Sequence, residues 1–221
     1  MIDHKLRTLF FESVYSRYSK DIFFIDVGAN LGYFSLFVEG RNDLSCLSIE
    51  PNPKVFESLK KTIDMKGLSP QIDLINLGMF DKKTTLELKV PVEEAFSGVA
   101  TFGTNIEAVD EYMGRVGELG GIYKKVSVPC DTLDNIIKER HPTKRISAIK
   151  MDVEGAEYFV LKGAVDILKK HKPLLMLECD LQHTVKFDYD PLEVYEFLQQ
   201  FGYEIIWRGP SDVLLEISND E

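Results

Sequence analysis

Short, almost unbroken apolar runs recur along the chain, and their alternation with amphipathic segments restricts the fold more than any other feature. The runs are Ile22 to Val27, Leu44 to Ile49, Ile72 to Leu77, Ile146 to Val153 and Leu174 to Glu178. Strands buried on both faces read this way. The segments between them carry helical spacing. Leu31 to Val38 reads as a helix stopped by Gly40. Asn52-Pro53 opens a helix with Phe56, Leu59 and Ile63 on one stripe, ended by Gly67. Val160, Ala164, Ile167 and Leu168 form the buried face of another. Asp190-Pro191 starts a last one, with Val194, Phe197, Leu198 and Phe201 inward and Gly202 at its end. Strands alternating with helices imply a mostly parallel sheet with helices on both faces. The closing runs, Tyr203 to Arg208 and Val213 to Ile217, flank a Gly209-Pro210 turn and must be antiparallel.

The rest is less regular. Residues 1–20 read as a lead-in helix, with Leu6, Phe10, Val14 and Tyr18 at fourfold spacing. Residues 21–221 read as a single domain. Within it, Thr84 to Val90 and Lys125 to Val128 look like hairpin or edge strands. Asp131 is placed to cap a helix carrying Leu133, Ile136 and Ile137. Residues 91–125 are expected to be an insertion or lid. Its segment Phe96-Ser97-Gly98-Val99-Ala100-Thr101-Phe102 mixes aromatic, small and hydroxyl side chains, as a cover for an acceptor pocket would.

The 221 residues carry a net charge of -10, which makes phosphate backbones and anionic lipid poor default partners. Cys46, Cys130 and Cys179 lie apart in or beside apolar runs and read as buried, reduced thiols. No run is long enough to span a membrane, and Asp3, Arg7 and Glu12 interrupt any signal-peptide core, so a cytoplasmic chain is expected. His4, His141 and His171 read as surface residues.

Ligands of parallel sheets bind at the carboxyl ends of strands. The first strand ends in Asp26, followed by Gly28-Ala29-Asn30-Leu31-Gly32. Two glycines permit a sharp turn and close ligand approach. With the N–H groups of a following helix and the Asp26 carboxylate, this suits a ligand bearing both ammonium and carboxylate, such as the methionine part of S-adenosylmethionine. The dinucleotide fingerprint GxGxxG is absent. Glu50 ends the second strand, where an acid can accept hydrogen bonds from both ribose hydroxyls.

Three segments together resemble the FkbM-type methyltransferases: Asp26-Val27-Gly28-Ala29-Asn30-Leu31-Gly32, then Glu50-Pro51-Asn52-Pro53, then Lys150-Met151-Asp152-Val153-Glu154-Gly155-Ala156-Glu157. The resemblance covers roughly residues 20–180. It implies a three-layer α/β/α, Rossmann-like fold with a seven-stranded sheet whose last strand is antiparallel. It also implies methyl transfer from S-adenosylmethionine, typically to a hydroxyl of a small molecule or sugar. By position, Asp26, Gly28, Asn30 and Gly32 would hold the methionine part, and Glu50, with Pro51 beside it, the ribose. Asn76, Leu77 and Gly78 would lie near the adenine, although Leu77-Gly78-Met79-Phe80 departs from the family's usual small and polar pair.

An alcohol acceptor must lose its proton, so a base or metal is sought near the strand ends. Asp152 and Lys150 share a strand face, and Lys150 in an apolar strand needs a partner. Glu154 and Glu157 flank the next helix start, where acids offset the helix dipole. Glu178 and Asp180 end the fifth run, with His183 as a candidate base. Asp152, Glu178 and Asp180 could jointly offer oxygen ligands to Mg2+, but their spacing is not a metal motif, and a metal-free site is expected. The alternatives are an NAD(P)-dependent oxidoreductase on a similar sheet and a non-catalytic cofactor-binding module.

Overall fold

The computed structural model describes residues 4–92, 99–105, 107–111 and 123–218. Helix α1 (His4–Tyr15) leads to β1 (Ile22–Val27), β2 (Leu44–Ile49), α2 (Pro53–Met65) and β3 (Ile72–Ile75). Next come β4 (Gly78–Met79), β5 (Thr84–Pro91), β6 (Tyr123–Asp131), α3 (Leu133–Arg140) and β7 (Ala148–Met151). The chain continues through α4 (Glu157–Lys162), α5 (Val165–His171), β8 (Leu174–Glu178), α6 (Leu181–Thr184), α7 (Pro191–Gln199), β9 (Tyr203–Arg208) and β10 (Asp212–Ile217).

Seven strands form the main sheet in the order β3-β2-β1-β7-β8-β10-β9. The first five are parallel. Strand β10 is antiparallel to both β8 and β9, so the expected antiparallel strand lies inside the sheet while β9 forms the edge. The chain enters β7 beside β1 after leaving β3 at the far edge. That reversal of strand order puts a crevice at the carboxyl ends of β1 and β7.

Both faces are covered. On one, Phe10, Phe11 and Val14 of α1 and Leu59 and Ile63 of α2 pack with Ile22 and Phe24 of β1. On the other, α3, α4, α5 and α7 bury Ile136, Val160, Ile167 and Leu198 with Ile25, Ile149 and Leu175. Strands β4, β6 and β5 form a separate three-stranded sheet, in which β5 and β6 pair antiparallel over their full length. It delivers Leu88, Val90, Val128 and Cys130 to this second core.

Four local expectations need correction. No α-helix follows β1: residues 31–38 are turns ending in a 3-10 segment, Ser35–Val38. The Asp26 carboxylate takes the Ser35 N–H at 3.1 Å, in place of a helical carbonyl. Thr132, not Asp131, caps α3, because Asp131 is already spent as the last residue of β6. The segment read as one helix around Val160 to Leu168 breaks at Gly163, which passes so close to Phe80 that a Cβ would lie 2.3 Å from its carbonyl oxygen. In α2, Val55 takes the buried place expected for Phe56, which is half-buried.

The three cysteines are buried and free. Of the histidines read as surface residues, only His4 is exposed. His141 meets Asp73 at 3.0 Å, and His171 Nδ1 accepts from Ile146 N, so both are half-buried. Among the described residues no helix is long and apolar enough to cross a membrane.

Phe11 stacks on Phe37 with centroids 3.8 Å apart and meets Phe24 edge-on at 5.2 Å. Phe11→Ala is expected to cost ~3–5 kcal/mol. Urea unfolding should show a lower midpoint with an unchanged slope if α1 unfolds with the sheet.

Candidate functional site

A buried ion pair underlies the first loop. Asp26 is fully buried at the end of β1. Its Oδ2 accepts from Ser35 N and, at 2.6 Å, from Ser35 Oγ. Ser48 Oγ donates to Ser35 Oγ at 2.6 Å, which extends the network to β2. Lys150, one strand over on β7, places Nζ 3.3 Å from Asp26 Oδ1 and 3.5 Å from Asp152 Oδ2. The same ammonium donates to Gly28 O at 2.9 Å. Burial alone would lower the Lys150 pKa, but the Asp26 and Asp152 carboxylates raise it, so the group stays charged. Lys150 thus holds the ends of β1 and β7 together.

The loop above this pair needs special backbone. Gly28 has φ +75°, and a Cβ there would lie 1.9 Å from Asp152 O. Asn30 adopts φ +48° and gives its N–H to Glu50 Oε2 at 2.8 Å. Glu50 Oε1 accepts from Asn52 N, also at 2.8 Å, so the carboxylate joins the loops after β1 and β2. Asn76 Nδ2 donates to the carbonyls of Glu50 and Pro51 and fixes that second loop from β3.

Two neighbouring cavities open along these ends. The inner one, narrow at ≈ 40 Å³, is lined by Gly28, Asn30, Glu50, Pro51 and Leu77 together with Met79, Leu88, Ala100 and Phe102. The outer cleft, ≈ 420 Å³, is lined by Tyr33, Lys150, Glu178, Ser211 and Asp212 among others. Asn30, Asp152 and Glu154 line both. Of the nine residues read as a cofactor set, Asp26, Gly32, Asn76 and Gly78 line neither cavity. Asp26 and Asn76 brace the loops from below, and Gly32 lies against Leu59 and Gly78 against Cys130 and Phe102. Met79, Leu88 and Phe102 form an apolar wall of the inner cavity; Leu88 escaped the sequence reading, since it resembles an ordinary core residue, while Phe102 was expected in a cover of the acceptor pocket. Phe96, Ser97 and Gly98 lie outside the described residues; Val99 lines the cleft, while Ala100 and Phe102 line the inner cavity. Thr101 Oγ1 donates to Glu154 O at 2.9 Å and ties this segment down.

Beyond Asp152 the carboxylates crowd. Glu157 is fully buried; Oε1 accepts from Val153 N, Oε2 has no hydrogen-bond partner, and burial pushes its carboxyl up to about 8. Burial, followed by the charges of Asp152 and Glu154, pushes Glu178 up to about 11. His183 is 7% exposed and lines neither cavity. Its Nδ1 lies 2.7 Å from Asp180 Oδ1, so the ring donates there, and Nε2 lies 3.5 Å from Glu154 Oε2 and 3.7 Å from Glu178 Oε2. His183 therefore stands behind the two glutamates that face the cleft.

This geometry coincides with a recognised family. The profile of the methyltransferase FkbM domain matches residues 26–205, and the chain belongs to that family of methyltransferases. Methyltransferase 1 of Beauveria bassiana is 29% identical over 149 residues, covering 66% of this chain and 59% of its own. The crystal structure of methyltransferase FkbM from Methylobacillus flagellatus superposes with a TM-score of 0.60 at 20% identity, over 95% of this chain and 46% of that one. A Streptococcus pneumoniae methyltransferase in complex with S-adenosyl-L-methionine has a TM-score of 0.52 at 14% identity, over 100% of this chain and 75% of that one. The chain spans between 11% and 60% of the length of the curated relatives it matches.

Two outcomes test the electrostatic frame. Lys150→Met strands a buried carboxylate and should cost ~3–5 kcal/mol in chemical denaturation. The double variant with Asp26→Asn should recover part of that loss. For Glu50, burial pushes the carboxyl from the ordinary 4.5 up to about 7, against the opposing N–H groups of Asn52 and Asn30. An acid with a raised folded-state pKa contributes stability below its unfolded pKa and loses it as pH rises through the folded one. Melting scans from pH 4 to 8 should therefore show Glu50→Gln gaining on the wild type as pH rises, by roughly a few degrees.

Proposed function

We propose that this chain transfers the methyl group of S-adenosylmethionine to a hydroxyl oxygen of a small molecule or sugar. The observation that carries the reading is the placement of Asp152 between the two cavities, with Gly28, Asn30 and Glu50 in the inner one. Each Glu50 oxygen accepts one backbone N–H and retains a lone pair for a ribose hydroxyl. Leu77, Met79 and Phe102 offer an apolar wall to a purine. The donor-bound neighbour from Streptococcus pneumoniae supports the same choice of cofactor for this fold.

Ala100 and Phe102 border the inner cavity and Val99 the outer cleft. That fits residues 91–125 as a cover over the acceptor pocket, with the Thr101–Glu154 contact as its latch. Asp26 acts through Lys150: it fixes the ammonium that holds Gly28 O, and so shapes the loop from below.

When bound, the sulfonium supplies an electrophilic methyl group. The protein must then align an acceptor oxygen with it and exclude water. Asp152, half-exposed at the junction, is placed to take the acceptor's proton. Lys150, 3.5 Å from it, pairs with that carboxylate. Glu178, whose carboxyl pKa is raised by burial and by the charges of Asp152 and Glu154, suits a hydrogen bond to the acceptor rather than proton removal. Carboxylates of Asp152, Glu154, Glu178 and Asp212 line the cleft, which disfavours a phosphate-bearing acceptor such as a nucleic acid. The buried free thiols support a reducing, cytoplasmic setting.

Calorimetry with S-adenosylhomocysteine and with NAD(H) separates this reading from an oxidoreductase; binding of NAD(H) alone would overturn it. Glu50→Ala should weaken the thioether's affinity by at least ~1.5 kcal/mol. With an acceptor in hand, Asp152→Asn should lower turnover by ~100-fold while leaving that affinity intact.

A further inference from the structure

We propose that Glu154, Glu178 and His183 form a binding site for a divalent first-row transition cation of the zinc type. The three donors come from separate elements: the loop after β7, the last residue of β8, and α6. Their ligand atoms all lie within 4.8 Å of one another. Nε2 of His183 is 3.5 Å from Glu154 Oε2 and 3.7 Å from Glu178 Oε2. A tetrahedral cation bound ~2.1 Å from each ligand atom separates them by roughly 3.4 Å, so two of the edges are already close to length. An octahedral magnesium, with ligands ~2.1 Å away, asks for edges of roughly 3.0 Å and favours oxygen over imidazole.

The surroundings build the site further. Asp180 receives the Nδ1 proton of His183 at 2.7 Å, which aims Nε2 at the two glutamates. A carboxylate behind a histidine in this way is the usual support of a metal-bound imidazole. Gly155, at φ +101°, lets the β7 loop approach α6 so closely that a Cβ would lie 2.2 Å from His183 O. Tyr189 Oη holds the Gly155 carbonyl at 2.7 Å. Lys186 Nζ, 3.1 Å from Glu154 Oε2, orients that carboxylate.

This set differs from the oxygen-only trio of Asp152, Glu178 and Asp180 that the sequence suggested for Mg2+. Asp180 moves behind the histidine, and His183 becomes a ligand instead of a base. Three protein ligands leave a cation with an open position. Glu154 and Glu178 also line the cleft, so a cation bound between them would lie at its wall, within reach of a hydroxyl or water oxygen that it could polarise. Cation binding itself stands independently of the methyl-transfer reading.

Isothermal titration of chelator-treated protein with ZnCl2, and separately with MgCl2, tests the site. Expected are one saturable Zn2+ per chain and far weaker Mg2+ binding. His183→Asn should weaken Zn2+ binding at least ~100-fold, and Asp180→Asn by ~10-fold, as loss of a supporting carboxylate does. Circular dichroism reports whether the variants fold. If they do not, 15N spectra of the wild-type histidines decide: Zn2+ should shift His183 Nε2 and leave Nδ1 protonated. The proposal is overturned by an absence of saturable Zn2+ binding, by a His183→Asn variant that binds as the wild type does, or by an unshifted His183 Nε2.

Discussion

The ammonium of Lys150 is the charge on which this end of the sheet depends. It sits in an apolar strand, yet the ends of β1 and β7 meet on it through Asp26, the Gly28 carbonyl and Asp152. Two of these partners belong to loops that border a cavity, and the third lies beneath them. In a medium of low polarizability such contacts are strong, and each is costly to leave unmatched. The order runs from Ser48 through Ser35 to Asp26, then to Lys150 and the loop above. A charge placed for stability therefore sets the shape of the surface available to a ligand.

The second organising element is the turn after β7. Glu154 and Gly155 both have positive φ, at +56° and +101°. This tight reversal points Asp152 and Glu154 toward the cleft, buries Glu157 behind them, and presses the backbone against His183. The acidic side chains are thus separated by environment more than by type: one half-exposed, one facing the cleft, one sealed in. Burial raises the Glu157 carboxyl above the usual carboxylate range, and burial with the neighbouring acidic charges does the same to Glu178 on the adjoining strand end.

Much of the architecture was legible because its strands are buried twice over. Ile22–Val27, Leu44–Ile49 and Leu174–Glu178 are buried along almost their whole length and so read as nearly continuous apolar runs. The caps at Asn52 and Asp190 were equally plain, since side chains there bond their own backbone. The separate sheet of β4, β5 and β6 was not legible, because an alternating strand carries no sign of which sheet it joins. Nor was the 3-10 turn after β1. Helical spacing of Leu31 to Val38 is real, but a carboxylate from another element intercepts Ser35 N, and spacing does not report such competition. Among site residues, a strand-end position identified Glu50 and Asp152 as cavity-lining. Position could not separate Asp26, which points under the loop, from Asn30, which points over it.

The place of β10 within the sheet has a consequence for the order in which the molecule can assemble. On a ribosome, β8 emerges well before β10, and β9 appears in between without being able to pair with β8 directly. Until residues 212–217 are made, one edge of β8 carries bare amide and carbonyl groups, while the helices around it already seek the core. Nascent chains of this topology must therefore pass through a stage with an open parallel half-sheet, the kind of edge that other strands can add to. The last strand closes that edge from within, and the lifetime of the open stage is set by translation as much as by folding.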